Sequence, residues 1–185
     1  MTGMNRQMQA LRTGLATALL SACLVWVPPA PAAAQESENR VAVETDWSVF
    51  VEPAQGECWA VSAPKETVNT RDGRVVAVRR GDILLFVTYR GDNDAPEVSF
   101  TGGYPFAPDS TVEVTIGSDS FQLFTEGDWA WAASPEQDAE LLVAMRRGAE
   151  AVLVGRSSRG TTTTDTFSLF GFTAATEEAA RRCAD

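Results

Sequence analysis

The 185-residue sequence contains no histidine, a single lysine (Lys65) and only two tyrosines. Lack of histidine removes the side chain that most often serves as general base and most often ligates a metal. Ser157 and Ser158 therefore have no imidazole to activate them, which excludes a hydrolase of the Ser-His-Asp type. Lys65 stands beside Pro64 in a polar loop. Cysteine is scarce, at three residues, and no C-x-x-C spacing occurs, so a thioredoxin-like redox couple is absent. There is no internal repeat, low-complexity tract or linker, and the length suits one domain.

What is present is a globular composition, with 44% hydrophobic and 22% charged residues. The formal charge is −10, and an acidic surface argues against nucleic acid and anionic lipid as partners. Residues 1–34 read as a secretory signal peptide. Arg6 and Arg12 mark the n-region, an apolar run covers residues 13–27, and Ala32-Ala33-Ala34 offers small residues for cleavage before Gln35. That apolar run of about 15 residues falls short of the roughly 20 needed to span a bilayer, and nothing later in the chain is a transmembrane segment. Cleavage removes two arginines and no acid, taking the charge from −10 to −12. The sequence Leu20-Ser21-Ala22-Cys23 also resembles a lipobox, which gives a lipid anchor at Cys23 as the alternative to free export. Against it, the apolar run continues past Cys23 to Val27.

Cys58 and Cys183 survive cleavage, and two cysteines in an exported domain pair most simply as a disulfide. In the chain-entropy model a loop of that length is worth roughly 4–5 kcal/mol.

After a loose, polar terminus over 35–43, the pattern predicts a single domain over 44–185. Strands are expected at 47–51 and at 58–63, the latter stopped by Pro64. Residues 67–73 are polar and turn-rich, 74–78 are β-branched, and 83–89 are strongly apolar. Arg80-Gly81-Asp82 and Gly91-Asp92-Asn93-Asp94 carry turn chemistry. Residues 98–100 read as a short strand and 102–106 as an irregular aromatic loop. In 111–116, Val112, Val114 and Ile116 share one face, and 121–125 returns after Gly117-Ser118-Asp119, the strongest hairpin in the chain. Ser134 as N-cap, Pro135 at the first helical position, acids in the first turn, Arg146 and Arg147 in the last and Gly148 beyond it delimit one helix. Strands at 151–155 and 161–169 follow, then a second short helix at 174–182 with Thr173 as its cap. Many short strands with turns between them predict an all-β fold, an antiparallel β-sandwich with two short helices, one internal and one C-terminal.

Several segments occur together in a familiar order. They are Asp46-Trp47, the strand Cys58-Trp59-Ala60-Val61-Ser62, Gly103-Tyr104-Pro105-Phe106, residues 112–117, 121–124 and Ala130-Trp131. Arg159-Gly160-Thr161 with Asp165, residues 167–172 and a helix ending in Cys183 complete the set. In this the chain resembles the invasion-associated locus B family of alphaproteobacteria over essentially its whole mature length. The resemblance implies an extracytoplasmic β-sandwich-like domain with no assigned enzymatic activity, and it supplies no catalytic residues.

Candidate sites follow from the residues. Trp129 and Trp131, two apart, share a strand face and with Tyr104 and Phe106 offer an aromatic groove for a sugar or peptide; the alternative places these residues, and Trp47 and Trp59, in the core. The loop 102–106 is the segment expected to be most exposed. Arg156, Arg159 and the threonines from Thr161 offer a small anion site, with Gly155 and Gly160 letting backbone N–H groups approach a ligand; the alternative is an exposed loop balancing an acidic surface. The tripeptide Arg-Gly-Asp occurs at 80–82 and 90–92, where ordinary turn chemistry accounts for it better than adhesion-receptor binding. Asp92, Asn93 and Asp94 resemble part of a calcium loop but lack the bidentate glutamate that closes one. No metal, cofactor or catalytic residue is expected. The leading expectation is an exported, non-enzymatic periplasmic or cell-envelope interaction protein with an envelope protein as partner. A small-ligand (sugar, peptide or anion) module comes next, and a hydrolase using paired carboxylates last.

Overall fold

The computed structural model describes residues 39–91 and 93–184, for Asn93 and Asp94 the backbone alone. The leader, Cys23, Asp92 and the side chains of Asn93 and Asp94, on which the partial calcium loop rests, thus lie outside the described residues. Twelve strands and two helices follow along the rest. The strands are β1 (Arg40–Glu44), β2 (Trp47–Glu52), β3 (Glu57–Ser62), β4 (Glu66–Arg71), β5 (Arg74–Val75), β6 (Leu84–Arg90), β7 (Asn93–Thr101), β8 (Thr111–Ile116), β9 (Asp119–Glu126), β10 (Trp129–Trp131), β11 (Glu150–Arg156) and β12 (Thr162–Ser168). The helices are α1 (Pro135–Arg147) and α2 (Phe172–Ala184).

All strands join one antiparallel sheet in the order β1-β2-β3-β6-β7-β10-β9-β8-β11-β12-β4-β5. The sheet folds back on itself. Phe100 on β7 meets Phe167 on β12 edge-on at 6.0 Å, although four strands stand between them in the sheet. This closes an all-β sandwich around one core, lined by alternate residues such as Val49, Ala60, Val87, Phe100, Val112, Val114 and Leu153. Neither β1 nor β5 has a strand on its outer side among the described residues.

The predicted hairpin is β8–β9, and Val112, Val114 and Ile116 all face the core. The predicted internal helix is α1, whose Ser134 hydroxyl accepts the Gln137 N–H at 3.3 Å. Asp138 on α1 accepts the Val98 N–H at 2.8 Å and so ties the helix to β7; burial raises its carboxyl above the ordinary value. The C-terminal helix begins two residues earlier than predicted, so Thr173 lies inside it rather than capping it. The reason is Phe172, fully buried edge-on against Trp47 at 5.0 Å. Gly171 makes that entry possible, because its φ of 89° belongs to the left-handed region and its Cα lies against the Glu44 carbonyl. α2 packs on the inward side of β1, β2, β3 and β6, and the Cys58–Cys183 disulfide pins its end to β3 with Cα atoms 5.6 Å apart.

Four segments depart from expectation. Strand β7 covers 93–101 rather than 98–100 alone, so it begins within the expected turn. Residues 40–43, expected to be loose, pair as an edge strand with β2. The polar stretch after Thr67 is not a turn but strand β4, whose Thr70 and Asn69 stand opposite Thr162 and Thr163 of β12 and whose Thr67 stands opposite Asp165. The β-branched stretch at 74–78 forms only the two-residue β5 before an irregular connection to β6.

Candidate functional site

Both helices pack on the inward face of the sheet's first half, which leaves its outward face uncovered among the described residues. On that face, Phe50 of β2 stands opposite Trp59 of β3, the rings stacked at 5.8 Å and 9°. The next row crosses five strands: Val61, Phe86, Ser99, Trp131 and Phe124 occupy successive registers of β3, β6, β7, β10 and β9. Phe86 meets Trp129 at 5.6 Å, Trp129 stacks on Trp131 at 6.3 Å, and Trp131 on Phe124 at 5.6 Å. Trp129 is 38% and Phe124 45% exposed. Because β7 contributes only the small Ser99 to this row, a trough of about 310 Å³ opens between Phe86 and Trp131. Its polar end holds Arg90, paired with Glu57 at 2.9 Å and Glu97 at 3.5 Å.

Trp129 and Trp131 therefore share a face as the spacing predicts, but Tyr104 and Phe106 are not part of it. Phe106 is 6% exposed, packed on Phe100 at 6.1 Å and Tyr104 at 5.1 Å. The loop 102–106, expected to be the most exposed segment, is folded inward by these two rings. Of the tryptophans assigned to the core, Trp47 is there; Trp59 is on the outward face. Phe50, Phe86 and Phe124 complete the strip. Their one sequence signal is an aromatic residue at an outward position of an alternating strand.

A second cluster lies around Tyr104. Its hydroxyl hydrogen-bonds the Thr163 hydroxyl at 2.5 Å, and burial raises its pKa above the usual 10.0. The Arg80 guanidinium sits 5.0 Å from the ring centroid. It donates a fork to Asp165 of β12, Nη1 to Oδ1 at 2.7 Å and Nη2 to Oδ2 at 2.6 Å, and its Nε donates to the Gly102 carbonyl at 2.8 Å. The side chains of Arg80 and Asp165 are only 6% and 0% exposed. The first Arg-Gly-Asp is thus no adhesive turn: its arginine is consumed by a buried ion pair. Burial pushes the Asp165 carboxyl up, against the pull of the Arg80 hydrogen bonds and charge.

Above this pair is a cavity of about 380 Å³ lined by Arg159, Arg71, Arg79 and Arg80. Arg156 does not line it, and neither glycine acts as the sequence proposed. Gly155 packs beneath Tyr104 and Phe106, and the Gly160 N–H is spent on the Ser157 carbonyl at 2.9 Å. Among the described residues no group of histidine, cysteine or acidic side chains is arranged to hold a metal, and no helix is long and apolar enough to cross a membrane.

Comparison with known proteins gives one finding. A family model described as "Invasion associated locus B (IalB) protein" matches residues 47–180, from the first residue of β2 into α2. No curated protein and no solved structure matches.

Proposed function

The chain belongs to the invasion associated locus B family, and we propose that it is an exported, non-enzymatic interaction protein of the periplasm or cell envelope. Its contact surface is the aromatic strip on the outward face of β3, β6, β7, β10 and β9. That strip is the observation that carries the proposal. Contiguous exposed apolar surface rimmed by polar groups marks interaction sites, and tryptophan and arginine are the side chains that most often dominate binding energy. The trough over Ser99 takes a protruding apolar side chain of an envelope protein, while Arg90, Glu57 and Glu97 form a charged rim. The leader and the disulfide favour an oxidising compartment outside the cytoplasm.

The test is a photo-crosslinking residue placed in living cells at Phe124, and separately at Glu66, exposed on β4 near the far end of the sheet. Discrete adducts with an envelope protein from position 124, absent from 66 and lost in Trp129→Ala/Trp131→Ala, are expected. The same adducts from both positions, or none from position 124, would overturn the assignment. Hydrolysis of envelope substrates by the purified protein would overturn its non-enzymatic part.

A further inference from the structure

We infer that the arginine-lined cavity above Tyr104 is a binding site for a small anion carrying two or more negative charges, presented on phosphate or carboxylate groups. In a chain with 25 acidic and 15 basic residues, four arginines line one cavity and no acidic residue does. They come from three separate segments: Arg71 from the end of β4, Arg79 and Arg80 from the connection before β6, and Arg159 from the turn between β11 and β12.

Their roles differ. Arg80 is neutralised by Asp165 and forms a fixed floor. Arg71 is aimed by a hydrogen bond from its Nη2 to the Thr161 hydroxyl at 2.6 Å. Arg79 and Arg159 have no hydrogen-bond or ion-pair partner among the described residues. Three positive charges thus converge on one space that no acidic side chain among the described residues lines. Like charges gathered this way repel, and a multivalent anion relieves that repulsion while accepting guanidinium forks.

Three backbone N–H groups around the cavity are already committed, and the recognition rests on the arginine side chains. The Ser158 N–H donates to the Pro105 carbonyl and the Ser157 N–H to the Thr161 carbonyl, both at 2.9 Å. The Gly81 N–H donates to the Gly103 carbonyl at 2.9 Å. Gly103 has φ 71°, and a Cβ there would come within 2.6 Å of the Gly81 carbonyl oxygen, so the two segments form a rigid lip. Tyr104, Pro105 and Val78 add an apolar wall, and about 380 Å³ falls at the small end of the usual range for ligand pockets, roughly 300–1,000 Å³. A charged head with a small organic body fits this lining. The site shares no residue with the aromatic trough, so it stands or falls independently of the interaction role.

Isothermal titration calorimetry with pyrophosphate and with citrate tests it, acetate serving as the monoanion control. Physiological ionic strength limits diffuse attraction to about 8 Å. Saturable one-to-one binding of pyrophosphate, citrate or both is expected, with acetate at least tenfold weaker; which probe prevails separates phosphate from carboxylate recognition. Arg79→Gln and Arg159→Gln remove side chains that brace nothing, so these variants fold, and each is expected to weaken binding about tenfold or more. Arg156→Gln, an exposed arginine outside the cavity, is expected to leave it unchanged. Absence of saturable binding by both probes would overturn the site, as would an equal loss in Arg156→Gln.

Discussion

Replacing Arg80 by methionine is the perturbation whose size the structure fixes best. Methionine keeps much of the apolar stem and removes the guanidinium, leaving Asp165 fully buried without its fork and the Gly102 carbonyl without its 2.8 Å donor. Removing one partner of a buried ion pair costs about 3–5 kcal/mol, because the remaining charge stays desolvated. That is a large share of the roughly 5–15 kcal/mol that holds a domain together. Replacing both partners by apolar residues removes the charge as well, so Arg80→Met/Asp165→Leu should recover most of the loss. The penalty also has a pH signature. With Arg80 gone, burial acts on Asp165 unopposed, and its folded pKa rises further above the ordinary 3.8. Between those values the folded variant binds more protons than the unfolded chain, so its stability falls as pH rises through the window. The parent's own Asp165 is already raised above 3.8, so the gap between parent and variant should stay small up to the parent's folded pKa and widen above it. Urea denaturation followed by tryptophan fluorescence at several pH values measures this. A loss under about 1 kcal/mol at neutral pH, or a gap that does not change with pH, would refute the account of a charge held in place by its partner.

Three further outcomes are expected of the same structure. The disulfide spans 125 positions in sequence, for which the loop-entropy relation gives about 5 kcal/mol; Cys58→Ala/Cys183→Ala should lose roughly 2–5 kcal/mol in reversible denaturation, and a double variant as stable as the parent would contradict it. Both tyrosines, Tyr89 and Tyr104, have their hydroxyl pKa raised above 10.0 by burial; tyrosinate absorbance should thus appear only above that pH, where stability also begins to fall, and a tyrosine ionising below 10.0 would be inconsistent with its placement. Phe100→Ala, at a fully buried position, should cost about 3–5 kcal/mol, whereas Trp129→Ala should cost about 1 kcal/mol or less; comparable losses in thermal denaturation would mean that Trp129 is core rather than contact surface.

The elements legible in the sequence are those whose signals are local. The β8–β9 hairpin is written in three alternating residues and a turn, and α1 in its cap, its proline and its charge order. Strand β4 was hidden because the face it buries is polar. Asn69 accepts from Arg80 at 3.4 Å across a core of hydrogen bonds rather than methyl groups, so apolar periodicity has nothing to register there. Strand β7 reads as a turn at its start because of Asn93 and Asp94, the end of the turn signal at 91–94. The chain stays extended through them because the pairing with β6 shifts register between Thr88 and Arg90, at the place where a proline removes a donor. The candidate sites divide in the same way. Trp129 and Trp131 share a face by spacing alone, but Trp59, Phe86 and Phe124 join them only through the register of five strands. Arg159 was recognisable from its neighbours in sequence, whereas Arg71 and Arg79 reach it through the fold.

The two ends of the sheet have a consequence for how copies of this protein meet. A runaway polymer of sheets needs a primer at one edge and a matching acceptor at the other. The first edge, β1, offers five residues with Val41 and Val43 exposed, but the last, β5, offers two, one of them Arg74. A copy that docked on β1 through its own β5 would gain almost no ladder and would bring an arginine to the seam. Two copies meeting β1 to β1 form a closed pair with no further matching edge to extend. Head-to-tail growth is thereby terminated by strand length itself, a safeguard suited to a domain that otherwise leaves a broad aromatic surface open.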